Sequence, residues 1–389
     1  MNTIGDVAKR AGVSTVTVSR VINGANNVSP LTRQKVERAI KELHYVPSVA
    51  ARSLRSRRTQ ALALLVPDIT NPFWTTVARG VEDAAQKGGY SLLLCNTDEN
   101  AAKQQHYIEV MISQRVDGVI IAPCHSNAAK LKRLSDRSIP TVVLDRRVEG
   151  WQVDTVISDS ISGARALVKY LISLGHQRIA VLSGPKHTSS AEDRVIGYRV
   201  ALAESGIPFD KKMIYRGEFK VSSGVVMTEQ LLERSPRPTA IFATNNSIAM
   251  GAIEAMNRRG LNIPQDLALV CFDDIPYLSY MLPFLTVVAQ PVYELGIQAA
   301  QLLLCRLDGQ VDAPPSQLVL PTSLVIRYSC GGRNHDLCLP LMKDAQPEER
   351  IQVIPLTVEE QHHFSELIPE LEMAPLWIGN KGGEINPHF

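Results

Sequence analysis

The chain has 389 residues, of which 45% are hydrophobic and 21% are charged, a composition typical of a globular protein with two or three domains. No apolar run approaches the roughly 18–20 residues of a membrane-spanning helix, and the first residues lack the apolar segment of a secretory signal, so we expect a cytoplasmic protein without membrane contacts. The formal net charge is only +2, but residues 1–60 hold eleven Lys/Arg against three Asp/Glu, whereas residues 331–389 hold four against ten. The basic head predicts a polyanionic partner at one end of the chain.

Three short helices are predicted in residues 1–46, a candidate domain of their own. The first begins with a capping box and continues as an apolar stripe. Ser14 can cap a second helix, and Ser29 followed by Pro30 can open a third, which would end at Pro47. Two short helices joined by a tight glycine turn and followed by a third form the helix-turn-helix layout.

The outward face of the second helix carries short side chains that suit close approach to a DNA major groove. Val16 can contact a thymine methyl group, Thr15 can bond to a base edge or a phosphate, and Arg20 can bind guanine through two hydrogen bonds. The predicted DNA-binding residues of the head are Thr15, Val16, Thr17, Arg20 and Ser29. A small helical bundle with a solvated polar face is the alternative, but the positive charge of the head favours DNA.

Residues 47–58 form a short basic segment with one large apolar residue, Leu54, among Ala, Ser and Arg. A helix this short is not stable alone. It can fold on DNA with Leu54 wedged between base steps and with arginines such as Arg55 on phosphates. A flexible interdomain linker, with Leu54 in a local contact, explains the same residues equally well.

Residues 59–330 alternate buried-strand patterns with helical patterns. Strands are predicted at 61–67, 91–96, 118–123, 141–145, 178–185, 240–245 and 267–273, with helices that include 101–114, 162–174 and 247–259. Such alternation is typical of doubly wound parallel sheets. Two sets, at about 61–160 and 162–288, predict two α/β lobes with a cleft between them.

Polar and aromatic residues follow these strands, where the carboxyl ends of an open sheet bind ligands. The candidates are Asn71, Phe73, Trp74, Asp145, Arg146, Arg194, Asn245, Asp273 and Gln290. Aromatic faces stack on the C–H faces of sugar rings, carboxylates accept hydrogen bonds from hydroxyls, and arginines donate to ring or hydroxyl oxygens. Any one of these residues is more often a cap or a loop contact, but together they predict a site for a polyhydroxylated ligand.

Several catalytic signatures are missing from the sequence. It contains no GxGxxG, GxxxxGK[ST], GxSxG or HExxH motif. Cys330, His335 and Cys338 lie close together but do not have a recognised zinc spacing. We therefore expect no cofactor, no metal and no enzymatic activity.

The head resembles that of a known family. The segments GDVAKRAGVSTVTVSRVING and SPLTRQKVERAIKELHYVPSVAARSL resemble the lactose-repressor/galactose-repressor family of bacterial transcriptional regulators, and the likeness continues through about residue 329. The resemblance implies that the second helix reads the major groove and that residues 47–58 become a hinge helix on the operator. It also implies that Leu54 opens the minor groove at a central CG step.

The body resembles the periplasmic sugar-binding-protein fold that this family shares, with the nearest likeness to ribose-type and purine-type repressors. The resemblance implies a stacking role for Phe73 and Trp74 and sugar-holding roles for Asp145, Arg146, Arg194, Asn245, Asp273 and Gln290. Thr188 stands where the purine repressor has a basic residue, which argues against a purine effector and leaves a pentose or another sugar. Asn246 stands where the family usually has Asp.

Residues 331–389 form a C-terminal extension beyond the point where the family normally ends. A capping box at Thr357 predicts a short helix that Pro369 ends, and the leucines do not form the heptads of a tetramerising coiled coil. The extension can pack on the body, bind a partner or be partly disordered, and the sequence leaves these three readings open.

Together these observations predict a bacterial, nucleoid-associated transcriptional regulator, in the main case a repressor. Two-fold symmetry would match a homodimer to a near-palindromic double-stranded DNA operator, and a small sugar between the lobes would control operator affinity. The alternatives are a carbohydrate-binding protein without a regulatory role and a carbohydrate-active enzyme. Asp145 and Asp273 could mimic the carboxyl pair of such an enzyme, but Arg146 and Arg194 are expected to keep both ionised, as suits a binder.

Overall fold

A computed structural model of the chain describes residues 2–22, 24–25, 27–45, 58–275, 284–309, 314–332 and 352–355. The chain divides into two compact units, a head of Met1–Gln60 and a body of Ala61–Phe389. Of the predicted hinge helix, Leu54 and Arg55 lie outside the described residues. Among the helices that the structure describes, none combines the length and the apolar character that a membrane span requires.

The head contains three helices, α1 (Ile4–Ala11), α2 (Thr15–Ile22) and α3 (Pro30–Glu42). The predicted capping box is present, because the Thr3 hydroxyl accepts a hydrogen bond from the Asp6 amide while the Asp6 carboxylate accepts one from the Thr3 amide. One valine from each helix, Val7, Val18 and Val36, is fully buried in a shared core. The third helix ends at Glu42, several residues before the predicted end at Pro47.

The body consists of two α/β lobes. Its strands are β1 (Ala61–Val66), β2 (Ser91–Asn96), β3 (Gly118–Ile121), β4 (Thr141–Leu144), β5 (Asp154–Ser158), β6 (Ile179–Ser183), β7 (Ile214–Arg216), β8 (Ala240–Ala243), β9 (Ala268–Phe272), β10 (Thr286–Ala289), β11 (Gln317–Leu320), β12 (Ser323–Ile326) and β13 (Gln352–Pro355). Its helices are α4 (Pro72–Lys87), α5 (Ala101–Gln114), α6 (Lys132–Asp136), α7 (Ser160–Ser173), α8 (Ser189–Glu204), α9 (Val221–Leu232), α10 (Asn246–Arg258) and α11 (Val292–Leu307). The strands and helices predicted in residues 59–330 are all present, with ends that differ by one or two residues.

The first lobe is built on a six-stranded sheet in the order β11-β5-β4-β3-β1-β2, and every pair is parallel. Each of the two predicted sets, 61–160 and 162–288, lies within one lobe, but β11 and α11, which follow the second lobe in the chain, belong to the first. α11 lies directly on α4, where a Cβ at Gly80 would stand 2.2 Å from the Tyr293 carbonyl oxygen and one at Gly296 would stand 2.2 Å from the Val77 carbonyl oxygen. Only glycine at both positions permits this close helix packing.

The second lobe is built on a seven-stranded sheet in the order β13-β12-β10-β9-β8-β6-β7. Strands β6 to β10 pair in parallel, as predicted, whereas β12 is antiparallel to both β10 and β13. β13 belongs to the C-terminal extension and pairs Gln352 with Ile326 and Pro355 with Ser323. This part of the extension therefore packs on the body, while the helix predicted from Thr357 lies outside the described residues.

Three connections join the two lobes, at residues 158–160, 289–292 and 320–323. The loops after β1, β2 and β4 of the first lobe and after β6 to β9 of the second face a common cavity. The carboxyl ends of the parallel strands thus meet at the cleft, which is where ligands of open α/β sheets bind.

Candidate functional site

A cavity of about 260 Å³ lies between the lobes of the body. Eight of the nine residues predicted from the sequence line it, namely Asn71, Phe73, Trp74, Asp145, Arg146, Arg194, Asn245 and Asp273. The ninth, Gln290, stands behind the wall and donates a hydrogen bond from its amide to the Asp273 carboxylate. The volume lies just below the range of about 300–1,000 Å³ usual for drug-sized ligands, so it suits a small molecule such as a monosaccharide.

Asp145 and Asp273 occupy equivalent places in the two lobes. Each follows a strand directly, and each main-chain N–H donates a 2.9 Å hydrogen bond to the neighbouring strand, to Val156 in the first lobe and Val288 in the second. Each also has a left-handed backbone, with φ of 63° at Asp145 and 79° at Asp273. Such a conformation costs a non-glycine residue of order 1–3 kcal/mol and is concentrated at functional sites.

Arg146 is nearly buried and is held by the first lobe. Its two terminal nitrogens donate hydrogen bonds to the Glu99 carboxylate at 2.9 and 2.5 Å, and one of them also donates to the Pro123 carbonyl at 2.7 Å. Burial lowers the pKa of the guanidinium, but the neighbouring acidic groups, chiefly the Glu99 carboxylate and then Asp145, together raise the pKa by more, so Arg146 remains charged. Its Nε is buried without a hydrogen-bond partner and lies 3.7 Å from the Asp145 carboxylate.

Arg194 is the corresponding cation of the second lobe. It projects from α8, stacks over the Phe272 ring at 4.0 Å and donates a 2.6 Å hydrogen bond to the Thr244 carbonyl. Its guanidinium lies 3.6 Å from the Asp273 carboxylate, and its Nε is also buried without a hydrogen-bond partner. Buried polar groups are normally hydrogen-bonded, so each lobe has one unpaired arginine donor in a residue that lines the cavity.

Burial sets the protonation of the two aspartates. It raises the pKa of both Asp145 and Asp273, and the positive charge of Arg194 opposes the rise at each. The expectation that Arg146 and Arg194 keep both groups ionised includes the attraction between opposite charges but leaves out the cost of burying a charged carboxylate. Hydroxyl groups of a ligand would donate hydrogen bonds in place of the lost water and would favour the ionised form of both aspartates over the protonated form.

Phe73 and Trp74 form one wall of the cavity. Their rings meet edge to face, with centroids 4.9 Å apart, and both are mostly buried. Asn71 caps α4 by accepting a 3.0 Å hydrogen bond from the Phe73 amide, which fixes the start of the helix that carries both rings. The predicted stacking pair therefore stands on a rigid helix terminus.

The lobes also touch each other directly, and two of these contacts are pairs of hydrogen bonds between side chains. Asn71 and Asn246 exchange amide hydrogen bonds across the cleft, at 2.8 Å in one direction and 2.9 Å in the other. Arg147 of the first lobe forms two hydrogen bonds to the Asp193 carboxylate of the second, at 2.6 and 2.5 Å. These contacts hold the cleft closed, and the first explains the departure at Asn246, because an Asp there could accept a hydrogen bond from Asn71 but could not donate one.

Sequence reasoning missed several lining residues, chiefly Asp98, Glu99, Ser190, Phe219 and Lys220. Asp98 and Glu99 follow β2, so the rule that singled out the ends of the other strands would have found them. Ser190 lies one turn before Arg194 on α8, and its hydroxyl stands 3.4 Å from the Asp145 carboxylate. Phe219 and Lys220 follow the short edge strand β7, which has no clear apolar pattern in the sequence.

In the head, the predicted DNA-binding residues fall into two groups. Thr15, Val16 and Arg20 are exposed on α2, and half of the Val16 surface is accessible. Thr17 and Ser29 instead hold helix starts: the Thr17 hydroxyl lies 2.9 Å from the Ser14 hydroxyl, and the Ser29 hydroxyl accepts a hydrogen bond from the Thr32 amide.

Groups of three or more metal-ligating side chains are absent from the described residues. His335 and Cys338 of the sequence cluster lie outside the described residues.

Two family models match the chain. Residues 3–48 match the family described as bacterial regulatory proteins, lacI family, and residues 59–320 match the periplasmic binding proteins and sugar binding domain of the LacI family. The chain belongs to the LacI family. It is therefore a DNA-binding transcriptional regulator with a helix-turn-helix head and a two-lobed body of sugar-binding type, as the sequence predicts.

Relatives of this LacI-family regulator agree with that assignment. The HTH-type transcriptional repressor PurR of Vibrio atlanticus is 40% identical over 312 residues, which cover 80% of this chain and 93% of the relative. Among solved structures, the lac repressor dimer bound to operator and the anti-inducer ONPF is 30% identical with a TM-score of 0.74, and the match covers 85% of this chain and 99% of that one. A LacI family regulator from Enterococcus faecium with bound ribose is 31% identical with a TM-score of 0.62, over 69% and 98% of the two chains.

Proposed function

We propose that this LacI-family regulator represses transcription by binding a near-palindromic operator as a homodimer, and that a small sugar in the cleft between the lobes controls its affinity for DNA. The observation that carries the effector site is the pair of strained aspartates, Asp145 and Asp273, which face two arginines with free Nε donors. Carboxylate acceptors and arginine donors next to an aromatic wall suit a ring that carries several hydroxyls. The effector-binding set is the one predicted from the sequence, with Gln290 orienting Asp273.

On the DNA side, we propose that Thr15, Val16 and Arg20 contact bases in the major groove. Thr17 and Ser29 would shape the turn and the start of α3. Each hydroxyl would contact DNA only through the hydrogen-bonding capacity that its contact within the head leaves unused. Leu54 and Arg55 would act in the hinge segment, the former in the minor groove and the latter on phosphates. Such a protein acts on the chromosome in the bacterial cytoplasm.

Rotation of the lobes would couple the effector to DNA. A ligand that binds one lobe arrangement better than the other shifts the equilibrium between them, and the three connections at 158–160, 289–292 and 320–323 are the places where the backbone can bend. We propose that the sugar acts as an inducer. The coupling free energy of such systems is typically about 1–3 kcal/mol.

A pentose is the effector that we favour among sugars. The cavity of about 260 Å³ suits a monosaccharide, and the structurally similar regulator from Enterococcus faecium holds ribose. The identity with PurR is higher, but Thr188 replaces the basic residue that a purine-type effector site is expected to use. A carbohydrate-active enzyme remains the second candidate class, and an assay for product formation from any bound sugar distinguishes it from a binder.

The decisive experiment is a thermal-shift panel of pentoses, hexoses and nucleobases on the full chain and on two variants. A ligand at about 100 times its Kd should add about 2.7 kcal/mol to the stability of the body. Arg194→Ala should abolish this response and retain operator binding, whereas the control Arg199→Ala, on the same helix but stacked on Phe209, should keep both. A sugar response that survives Arg194→Ala would refute the cleft assignment.

A further inference from the structure

The charges around the cavity are unequal. Five lining residues are acidic and three are basic, the acids being Asp68, Asp98, Glu99, Asp145 and Asp273 and the bases Arg146, Arg194 and Lys220. Positively charged clefts attract anionic ligands, and this cleft has the opposite balance.

Each of the three cations is also matched to a carboxylate of the protein. Arg146 is bound through both terminal nitrogens by Glu99, Lys220 lies 2.6 Å from Glu218, and Arg194 lies 3.6 Å from Asp273. The fork of an arginine is the group that binds phosphates and carboxylates in two-point geometry. In Arg146, both terminal nitrogens of the fork are already bound to Glu99, and of the five N–H donors only Nε–H and one hydrogen of the second terminal nitrogen remain.

Glu99 is held in place for this contact. Asp98 and Glu99 both have left-handed backbones, with φ of 53° and 55°, and Asn100 directly after them caps α5 by accepting hydrogen bonds from two amides. The tight turn between β2 and α5 aims the Glu99 carboxylate at Arg146. The Glu99 side chain retains 24% of its exposure while that of Arg146 retains 3%, and both residues line the cavity.

We propose that Glu99 is an anion filter: by filling the fork of Arg146 it restricts the cleft to uncharged polyhydroxylated effectors and rejects sugar phosphates and sugar acids. This inference rests on the proposed sugar effector and specifies its chemical class. A phosphate or carboxylate group entering the site would meet the Glu99, Asp145 and Asp273 carboxylates, and the fork of Arg146 would not be free to bind it. A hydroxyl can instead donate to a carboxylate and accept from one arginine Nε.

The test compares the wild-type chain with Glu99→Gln, which keeps the shape of the side chain and removes its charge. The probes are inorganic phosphate, D-ribose and other neutral monosaccharides, and the phosphate esters and aldonic acids of the same sugars, each at matched ionic strength. Glu99→Asp, which retains the charge, and Glu109→Gln, which removes a surface carboxylate paired with Arg133 in the same lobe, serve as matched controls. All variants carry the same basic head, so anion binding by the head cancels in the comparison.

We expect Glu99→Gln alone to gain saturable binding of phosphate, at least tenfold tighter than the wild-type chain, together with binding of sugar phosphates. The wild-type chain should respond to a neutral sugar and not to its phosphate or acid. If Glu99→Gln gains no anion affinity, or if the wild-type chain binds a charged sugar as tightly as the neutral one, the filter is refuted and the effector cleft remains. If Glu99→Gln gains phosphate binding while no neutral sugar binds the wild-type chain, the filter is supported and the sugar effector is refuted.

Discussion

The amide pair between Asn71 and Asn246 should contribute measurably to closing the cleft. Its two hydrogen bonds are partly buried and of good length, 2.8 and 2.9 Å. A typical intramolecular hydrogen bond contributes about 0.5–1.5 kcal/mol net, so the pair together should contribute about 1–3 kcal/mol. Loss of that amount changes the ratio of closed to open lobes by about 5- to 150-fold.

A double-mutant cycle separates this contribution from the other effects of each substitution. Asn246→Ala should destabilise the body by about 1–3 kcal/mol. Asn71→Ala should destabilise it by about 1 kcal/mol more, because it also removes the cap that accepts from the Phe73 amide. Because Asn246 also accepts a hydrogen bond from the Ser247 amide, the double variant should cost more than Asn71→Ala alone. It should cost about 1–3 kcal/mol less than the sum of the two single variants, and that difference is the coupling energy of the pair.

Urea unfolding of the four proteins provides the measurement. Tryptophan fluorescence and far-UV circular dichroism should give coincident transitions, which two-state analysis requires. As the control, Asn71→Ala combined with Asn262→Ala should be additive, because Asn262 lies in the second lobe and bonds only locally to Asp266. A coupling energy between Asn71 and Asn246 below about 0.5 kcal/mol, the usual error of additivity, would refute the contribution of the pair.

Three other predictions concern the effector site, the extension and the hinge. Effector affinity should be constant at high pH and should fall by up to about tenfold per pH unit for each carboxyl as the pH drops through the raised pKa values of Asp145 and Asp273, because only the ionised carboxylates accept two hydrogen bonds from hydroxyls. Calorimetry across pH measures the affinity, and Asp145→Asn should reduce its dependence on pH. An affinity that rises in acid would contradict this prediction. Truncation after Cys330 should leave a folded, DNA-binding protein. Hydrogen exchange at its β12 amides should be faster than in the full chain, because β13 no longer pairs with β12. An insoluble product would instead make the extension part of the core. Leu54→Ala should weaken specific operator binding by at least about tenfold and non-specific binding far less. If gel-shift titrations show an equal loss of affinity for operator DNA and for non-specific DNA, residues 47–58 are a plain linker.

The sequence predicted well those features that depend on local patterns. The runs at β1 and β3 are apolar throughout because both faces of these parallel strands are buried. Likewise, Ser29 and Pro30 open α3 because a cap and its helix are neighbours in the chain. Asp145 and Asp273 were found because each directly follows such a strand.

Features that depend on distant partners were not predicted. Nothing within β11 or α11 specifies that they return to the first lobe, because sheet membership is set by pairing with β5 and by contact with α4. Glu99 gains its role only from Arg146, which lies 47 residues away in the chain. β13 is four residues long and joins the edge of a sheet, so its pattern is too short to distinguish from a loop.

The return of β11 and α11 to the first lobe has a consequence for synthesis on the ribosome. Domains fold in the order in which they emerge, so the head can fold early, but the first lobe cannot be completed until the whole second lobe has been translated. Until then, the edge of β5 and the glycine surface of α4 have no partner on the nascent chain. A ribosome that stalls within the second lobe would therefore leave a folded head attached to an unfinished first lobe, and chaperones that bind exposed apolar surface should engage the chain in that interval.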